Sequence, residues 1–178
     1  NGECSLGLAH DYLVAAMRKA RCVLAEVNAD VPWVPGASLR LAEVDAWVQS
    51  DQAVVDVPVG KSGAAENAIA QLIASRIEDG STLQLGIGNL PDAVLQALRG
   101  HRDLGIHSGT IGDRVADLAE AGVITNARKS IDTGVSVTGL LMGTARTRRW
   151  AHNNQALRIA GTDYTHNAQV LGQIKNLV

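Results

Sequence analysis

From residue 64 onward, apolar positions alternate between helical and strand spacing. Ile69, Leu72, Ile73 and Ile77 recur every three or four residues, which predicts a helix over 65–79 with these four on one face. Glu66 falls in its first turn and Gly80 follows as a stop. Leu83 and Leu85, at period two, predict a strand. Gly86-Ile87-Gly88 then reads as a tight turn, with Asn89 as N-cap and Pro91 in the first turn of a new helix. Val94, Leu95 and Leu98 form the buried stripe of that helix, and Gly100 closes it. Asp103–His107 reads as a short strand. Thr110-Ile111-Gly112-Asp113 resembles a capping-box start for a helix bearing Val115, Leu118 and Ala119, stopped at Gly122. A short extended segment at Val123–Thr125, a strand at Val135–Met142, a helical turn at 146–151 and a strand at Leu157–Ile159 follow. A last helix is predicted from His166 to Ile174.

The first part of the chain is less regular. Leu13, Ala16, Met17 and Ala20 predict a helix over 8–20. Cys22–Val27 predicts a strand buried on both faces, ended by Asn28. Val31–Gly36 holds two prolines and reads as a rigid loop. Val44–Val48 predicts a further short strand, and Gln52–Gly63 reads as a linker. Within it Gly60-Lys61-Ser62 looks like the tail of a P-loop, but Val55 stands where that motif needs its first glycine, so a hinge with a solvated lysine is the reading adopted. The alternation predicts an α/β fold: a mainly parallel sheet with helices on both faces and sites at the carboxyl ends of strands. Gly86–Pro91 and His107–Asp113 are consecutive strand ends and would face one crevice.

Composition narrows the picture. Aromatic residues are only 3% of the chain and Phe is absent, so Val, Ile, Leu and Ala must build the core. A net charge of −2 gives no basic field for nucleic acid or a membrane surface. Cys4 and Cys22 match no metal spacing, and two isolated thiols fit a reducing, cytoplasmic compartment. No signal peptide or spanning segment is apparent. Asn1-Gly2 reads as the middle of a turn and Lys175–Val178 as entry into a strand, so both ends are expected to be cuts through a longer chain.

Candidate chemistry centres on the glycine turn. Free N–H groups at a helix start suit an anion, making Gly86, Ile87, Gly88, Asn89, Leu90 and Pro91 the candidate binding residues. Pro91 stands where a G-x-G-x-x-G fingerprint needs its third glycine, so an ordinary βα turn is an equally open reading. His107 is placed at a strand end, either facing the crevice or as a hydrogen-bonded structural histidine. Ser108 has no G-x-S-x-G elbow to activate it. Asp113 is either a catalytic carboxylate or a first-turn residue serving the helix dipole. Arg146, Arg148, Arg149 and Trp150 could meet a nucleotide or form a solvated face. The histidines show no metal spacing, so no metal site is expected.

Ile77–Asn126, with Leu83–Leu95 and Asp103-Leu104-Gly105-Ile106-His107-Ser108 at its centre, resembles the acetyl-CoA hydrolase and 4-hydroxybutyrate CoA-transferase family of class I CoA-transferases. Asn1–Gly7, Ala25–Asn28, Leu141–Thr144 and Asp163-Tyr164 extend the resemblance to both ends. It implies two packed α/β domains with the site between them. Residues 1–59 would close the first domain and 60–178 would open the second, with further sequence beyond both ends. It implies acyl-CoA and a small carboxylate as partners, with coenzyme A as substrate rather than a resident cofactor, and leaves a homodimer open. In the family a glutamate attacks the thioester to give an anhydride and then a glutamyl-CoA thioester. That glutamate follows Ile-His-Ser, where this chain has Gly109. Glycine there is accounted for either by loss of the nucleophile or by a positive φ that glutamate tolerates poorly. Three readings follow: a CoA-transferase or acetyl-CoA hydrolase segment inactive on its own, a subfamily using water with another residue as base, or a non-catalytic CoA-binding scaffold.

Overall fold

The computed structural model describes residues 2–178, so the expected turn at Asn1-Gly2 rests partly on a residue outside the described range. Two small strand pairs occupy the first fifty residues. β1 (Glu3–Ser5) runs antiparallel to β3 (Ser38–Arg40), and β2 (Leu24–Asn28) runs parallel to β4 (Ala46–Ser50). The β2 and β4 strands were expected within one or two residues, whereas β1 and β3 carry no apolar alternation. β2 is not buried on both faces as its composition suggested: Leu24 is 74% exposed and Trp47, opposite Ala25 on β4, is 52% exposed. The helix expected over 8–20 shrinks to α1 (Leu13–Met17). Residues 9 and 11 are taken by the main sheet instead, through bridges Ala9–Leu140 and Asp11–Gly161, and Asp11 has φ +40°. Residues 51–63 carry no helix or strand, as expected of the linker.

The remainder alternates. α2 (Ala64–Ala74) leads to β5 (Thr82–Leu83), then α3 (Asn89–Ala97), β6 (Gly105–Ile111), α4 (Asp113–Glu120), β7 (Ser136–Leu141), α5 (Ala145–Ala151) and β8 (Leu157–Ile159). The four strands form one parallel sheet in the order β5-β6-β7-β8. Consecutive order with short crossovers puts the connecting helices in one layer, and α2, α3, α4 and α5 touch in succession. Between this layer and the sheet lies the core: Leu98, Leu104, Ile106, Val115 and Leu157 are each 0% exposed. α6 (Thr162–Thr165) packs on β6 and β7 from the other side, followed by α7 (Ala168–Leu171). The last helix expected over His166–Ile174 shortens to α7, and α6 before it was not expected. Asn167 Oδ1 accepts from Gln169 N and Val170 N, capping a new helix rather than continuing the old one.

Of the expected stripe, Ile77 is buried in the core beyond the end of α2, whereas Ile69, Leu72 and Ile73 do not face the core. The buried residues of α2 are Ala70 and Ala74, because small side chains let α2 lie close on α3. Ile69 and Leu72 are 45% and 70% exposed and line a surface groove with Val178. Of the last residues, Lys175 and Asn176 form a turn, with Asn176 at φ +53°, and only Leu177 bridges to Thr82, where Thr82 N donates to Asn176 O and Gln84 N to Val178 O beside β5. Among the described residues, no helix is long and apolar enough to cross a membrane, and no His, Cys, Asp and Glu group could hold a metal. Cys4 and Cys22 are both free.

Candidate active site

β5 leaves the ladder after Leu83, while β6 continues to Ile111, well past the strand end expected at His107. Beyond β5, Leu85 N–H donates to Ser108 Oγ at 3.0 Å, and that hydroxyl lies 3.2 Å from Leu85 O and 3.0 Å from Thr110 O. Ser108 therefore anchors the departing chain. The gap above the short strand is a cavity of about 510 Å³. Its floor is the Gly86–Pro91 turn, one wall is Thr110 to Asp113 of β6 and α4, and the linker residues Val57 to Gly60 form the other.

Of the candidate binding residues, Gly86, Ile87, Gly88, Asn89 and Pro91 line this cavity and Leu90 does not. The N-cap of α3 is Gly88, not Asn89, and Gly88 has φ +119° and ψ −178°, a region open essentially to glycine alone. Asn89 is the first helical residue. Its side chain abuts Gly60, and its carbonyl accepts from Ser62 Oγ at 3.3 Å, tying turn to linker. Leu90 is half-buried against the core. Gly86, Ile87 and Gly88 are exposed, Ile87 at 69%. A Cβ on Gly86 would make only an ordinary contact, 3.8 Å to Pro91 Cγ, so nothing within the chain demands that glycine. The first-turn N–H groups of α3 have no intrahelical acceptors. Asp92 also lines the cavity, and its carboxyl is held above the ordinary range by burial, aided by the Asp113 charge and opposed by Arg114.

Asp113 borders the cavity, but its carboxylate is occupied. It accepts from Thr144 N (3.1 Å), Thr147 N (3.1 Å) and Thr147 Oγ1 (2.5 Å). It thereby caps α5, the helix after the next strand, as well as opening its own. Burial alone would raise its pKa; the hydrogen bonds from Thr147 and Thr144 outweigh burial and lower it. The arginine cluster is likewise committed. Arg146 pairs with Asp117 and Glu120, Arg148 pairs with Asp56 and Asp30, and Trp150 packs on the core. Only Arg149 of the three faces solvent unpaired among the described residues.

His107 does not face the crevice. Residues 107 and 109 point to the α6 side of the sheet by strand alternation. His107 is 0% exposed and its ring lies 5.6 Å from that of Tyr164. Neither ring nitrogen has a hydrogen-bond partner within the described residues. Burial, then the Lys129 charge, lowers its pKa, opposed by the Tyr164 backbone and the Asp132 charge.

Gly109 sits inside β6 rather than at its end, between the pairs Ser108–Thr138 and Thr110–Leu140 and level with Gly139. Its φ lies outside the left-handed region, so backbone conformation does not require glycine. Packing does not require it either, because the only overlap is with the exposed, movable ring of His166. A Cβ at 109 would stand 2.5 Å from His166 Cε1 and 2.9 Å from His166 Nε2. The imidazole of His166 lies where a side chain at 109 would project. Sequence reading placed His166 only as the start of a helix, because nothing in its local pattern connects it to β6.

No protein-family model matches the chain. It is 40% identical over 178 residues to the 4-hydroxybutyrate coenzyme A transferase of Clostridium kluyveri, covering 99% of this chain and 42% of that protein. The crystal structure of a 4-hydroxybutyrate CoA-transferase from Porphyromonas gingivalis superposes with TM-score 0.93 at 36% identity, over 99% of this chain and 45% of that one. RipA from Yersinia pestis superposes with TM-score 0.94 at 33% identity, again over 99% of this chain and 41% of the other. The chain thus spans less than half the length of these relatives. Near-complete superposition at this identity makes the α/β fold with its parallel sheet a shared feature, and the chain belongs to the class I CoA-transferase family that includes the 4-hydroxybutyrate CoA-transferases.

Proposed function

We propose that the intact protein binds acyl-CoA in the cavity above Gly86–Pro91 and breaks its thioester, passing CoA to a small carboxylic acid. The observation that carries this reading is the coincidence of an open 510 Å³ cavity with a glycine turn and helix start, Gly86 to Asn89, on its floor, the kind of element that suits an anion. Two relatives named as 4-hydroxybutyrate CoA-transferases match this chain over 99% of its length. Coenzyme A enters as substrate. Residues 60–178 would form the part of the second domain that carries the turn, and 1–59 the end of the first, with Val57–Gly60 at the junction and on the cavity wall.

Gly109 supports a second reading. If the family's carboxylate nucleophile belongs at this position, the covalent glutamyl route is closed, and water becomes the acceptor of the acyl group. Both readings share the cavity and differ in the nucleophile.

Gly86→Ala tests the cavity. The added methyl meets no clash within the chain, so the thermal midpoint should hold, while the methyl blocks close approach to the turn. CoA affinity measured by calorimetry on the intact protein should weaken by about tenfold, equivalent to ~1.4 kcal/mol. Unchanged affinity in the folded variant would remove the Gly86–Pro91 turn from the site.

A further inference from the structure

Among the described residues, two titratable side chains line the cavity, Asp92 and Asp113. Their surroundings separate them. The Asp113 carboxylate is consumed by Thr144 and Thr147, which hold it against the start of α5. The Asp92 carboxylate has neither a hydrogen-bond donor nor a salt-bridge partner among the described residues. Arg114 is near enough for its charge to act on Asp92, but its guanidinium stands 3.5 Å from Asp117, three residues along α4. Asp92 is therefore the one carboxylate of this lining left free to meet a ligand.

Its place in the fold gives that freedom a use. Asp92 N donates to Gly88 O at 3.3 Å, so Asp92 lies one helical turn beyond the glycine turn on the cavity floor. A second cavity of about 490 Å³ lies alongside, and Asp92 lines both. Leu95, Ile111, Val115 and Met142 give the first an apolar wall. Lys61, Ser62, Asn67, Gln96 and Arg114 make the second polar. The apolar wall suits an acyl chain, and the polar lining suits water. Asp92 stands at the boundary of the two. It is half-buried, and burial raises its pKa, opposed by Arg114 and aided by Asp113. A carboxylate raised in this way accepts a proton more readily than an ordinary one.

We propose that Asp92 is a catalytic general base that activates water, supplied from the polar cavity, against an acyl-CoA thioester. The proposal rests on the reading that acyl-CoA occupies the cavity above Gly86–Pro91. In the step, a water oxygen bonds to the thioester carbonyl carbon as a carboxylate oxygen of Asp92 takes one water proton. The carbonyl oxygen becomes an oxyanion, and the tetrahedral adduct collapses with cleavage of the C–S bond. The leaving thiolate recovers the proton from the Asp92 carboxylic acid. A carboxylic acid and CoA thiol are released, and water is the only co-reactant.

The test follows free thiol release from acetyl-CoA and butyryl-CoA by the intact protein without any added carboxylate. Asp92→Asn and Asp92→Ser should each lower kcat by about 10²-fold or more, the usual contribution of a positioned base. CoA affinity, measured by calorimetry, should stay within about twofold. The thermal midpoint should hold, since the carboxylate bonds to nothing within the chain. A single turnover of the unaltered protein in ¹⁸O-water should place the label in the released acid and none in the peptide carrying Asp92. Label in that peptide would show that the carboxylate attacks the thioester itself, which overturns the base role. So would hydrolysis at the original rate in either variant, or loss of the thermal midpoint or of CoA affinity in both. CoA binding with no thiol release by the unaltered protein would overturn the proposal and leave the cavity reading intact. Absence of CoA binding in the unaltered protein would sink the cavity reading and the proposal with it.

Discussion

Lys129 is 5% exposed, and its ammonium donates to Ile106 O at 2.8 Å and Val135 O at 2.6 Å. It closes the β6–β7 end of the sheet with a buried charge that has no salt-bridge partner among the described residues. Burial lowers its pKa from 10.5 to about 8; the Asp132 charge opposes this and the Arg158 charge adds to it. Unfolded, the amine titrates near its ordinary value. Between about pH 8 and 10.5 the unfolded chain therefore keeps a proton that the folded chain has released, so stability rises with pH across that window. Below it both states are protonated and the burial penalty stands in full. The drop corresponds to about 3 kcal/mol in all, of which ~2 kcal/mol should be recovered between about pH 7 and 9.5. Lys129→Met keeps an apolar stem and removes the titration. It also leaves two carbonyls without their donor, a pH-independent cost of about 1–3 kcal/mol per group. Urea unfolding of both proteins at the two pH values isolates the effect. The stability of the native protein relative to Lys129→Met should grow by ~2 kcal/mol on alkalinisation. Parallel pH profiles for the two would refute the reasoning.

Two further substitutions probe the walls of the cavity. Asp113→Ala strips the acceptor from Thr144 N, Thr147 N and Thr147 Oγ1, and should cost about 2–4 kcal/mol in a denaturant midpoint. Because the native carboxyl titrates below its ordinary value, its contribution is full at neutral pH and fades as pH falls through the native pKa, so the variant should show a shallower acid limb. Gly88→Ala places a Cβ in open space but forces alanine to φ +119°, so it should lose about 1–3 kcal/mol of stability through backbone strain alone; an unchanged thermal midpoint would show that the turn relaxes freely.

Much of the second half was legible in local pattern. The helical stripe Val94, Leu95 and Leu98 is buried as its spacing predicts, and Gly122 stops α4 at φ +75°. Linker, glycine turn and crossovers followed from periodicity and from residues with restricted backbone choices. The same rules misjudged α2. Its spacing identified a helix correctly but assigned the wrong face, because the packing partner is α3, and close approach there favours Ala70 and Ala74 over the larger residues. They also overextended the helix at 8–20, where residues 9 and 11 bridge instead to β7 and to Gly161, an interaction invisible at short range.

The site divides in the same way. The Gly86–Pro91 turn is a local object, since two glycines, a strand before them and an apolar stripe after them suffice to build it. That His107 faces away from the cavity was decided by the register of β6 against β7. That Asp113 serves α5 was decided by the crossover returning Thr144 and Thr147 to its side. Gly109 was conspicuous in the sequence, but its reason was not. Two local explanations fit it there, and the structure removes one, since the backbone at 109 is ordinary strand. The imidazole beside it comes from α6, after two more strands of the sheet. Periodicity and capping act over a few residues, so they determine which elements form. Which side chains share one space depends on register and on crossovers between distant elements, and only the tertiary structure decides that.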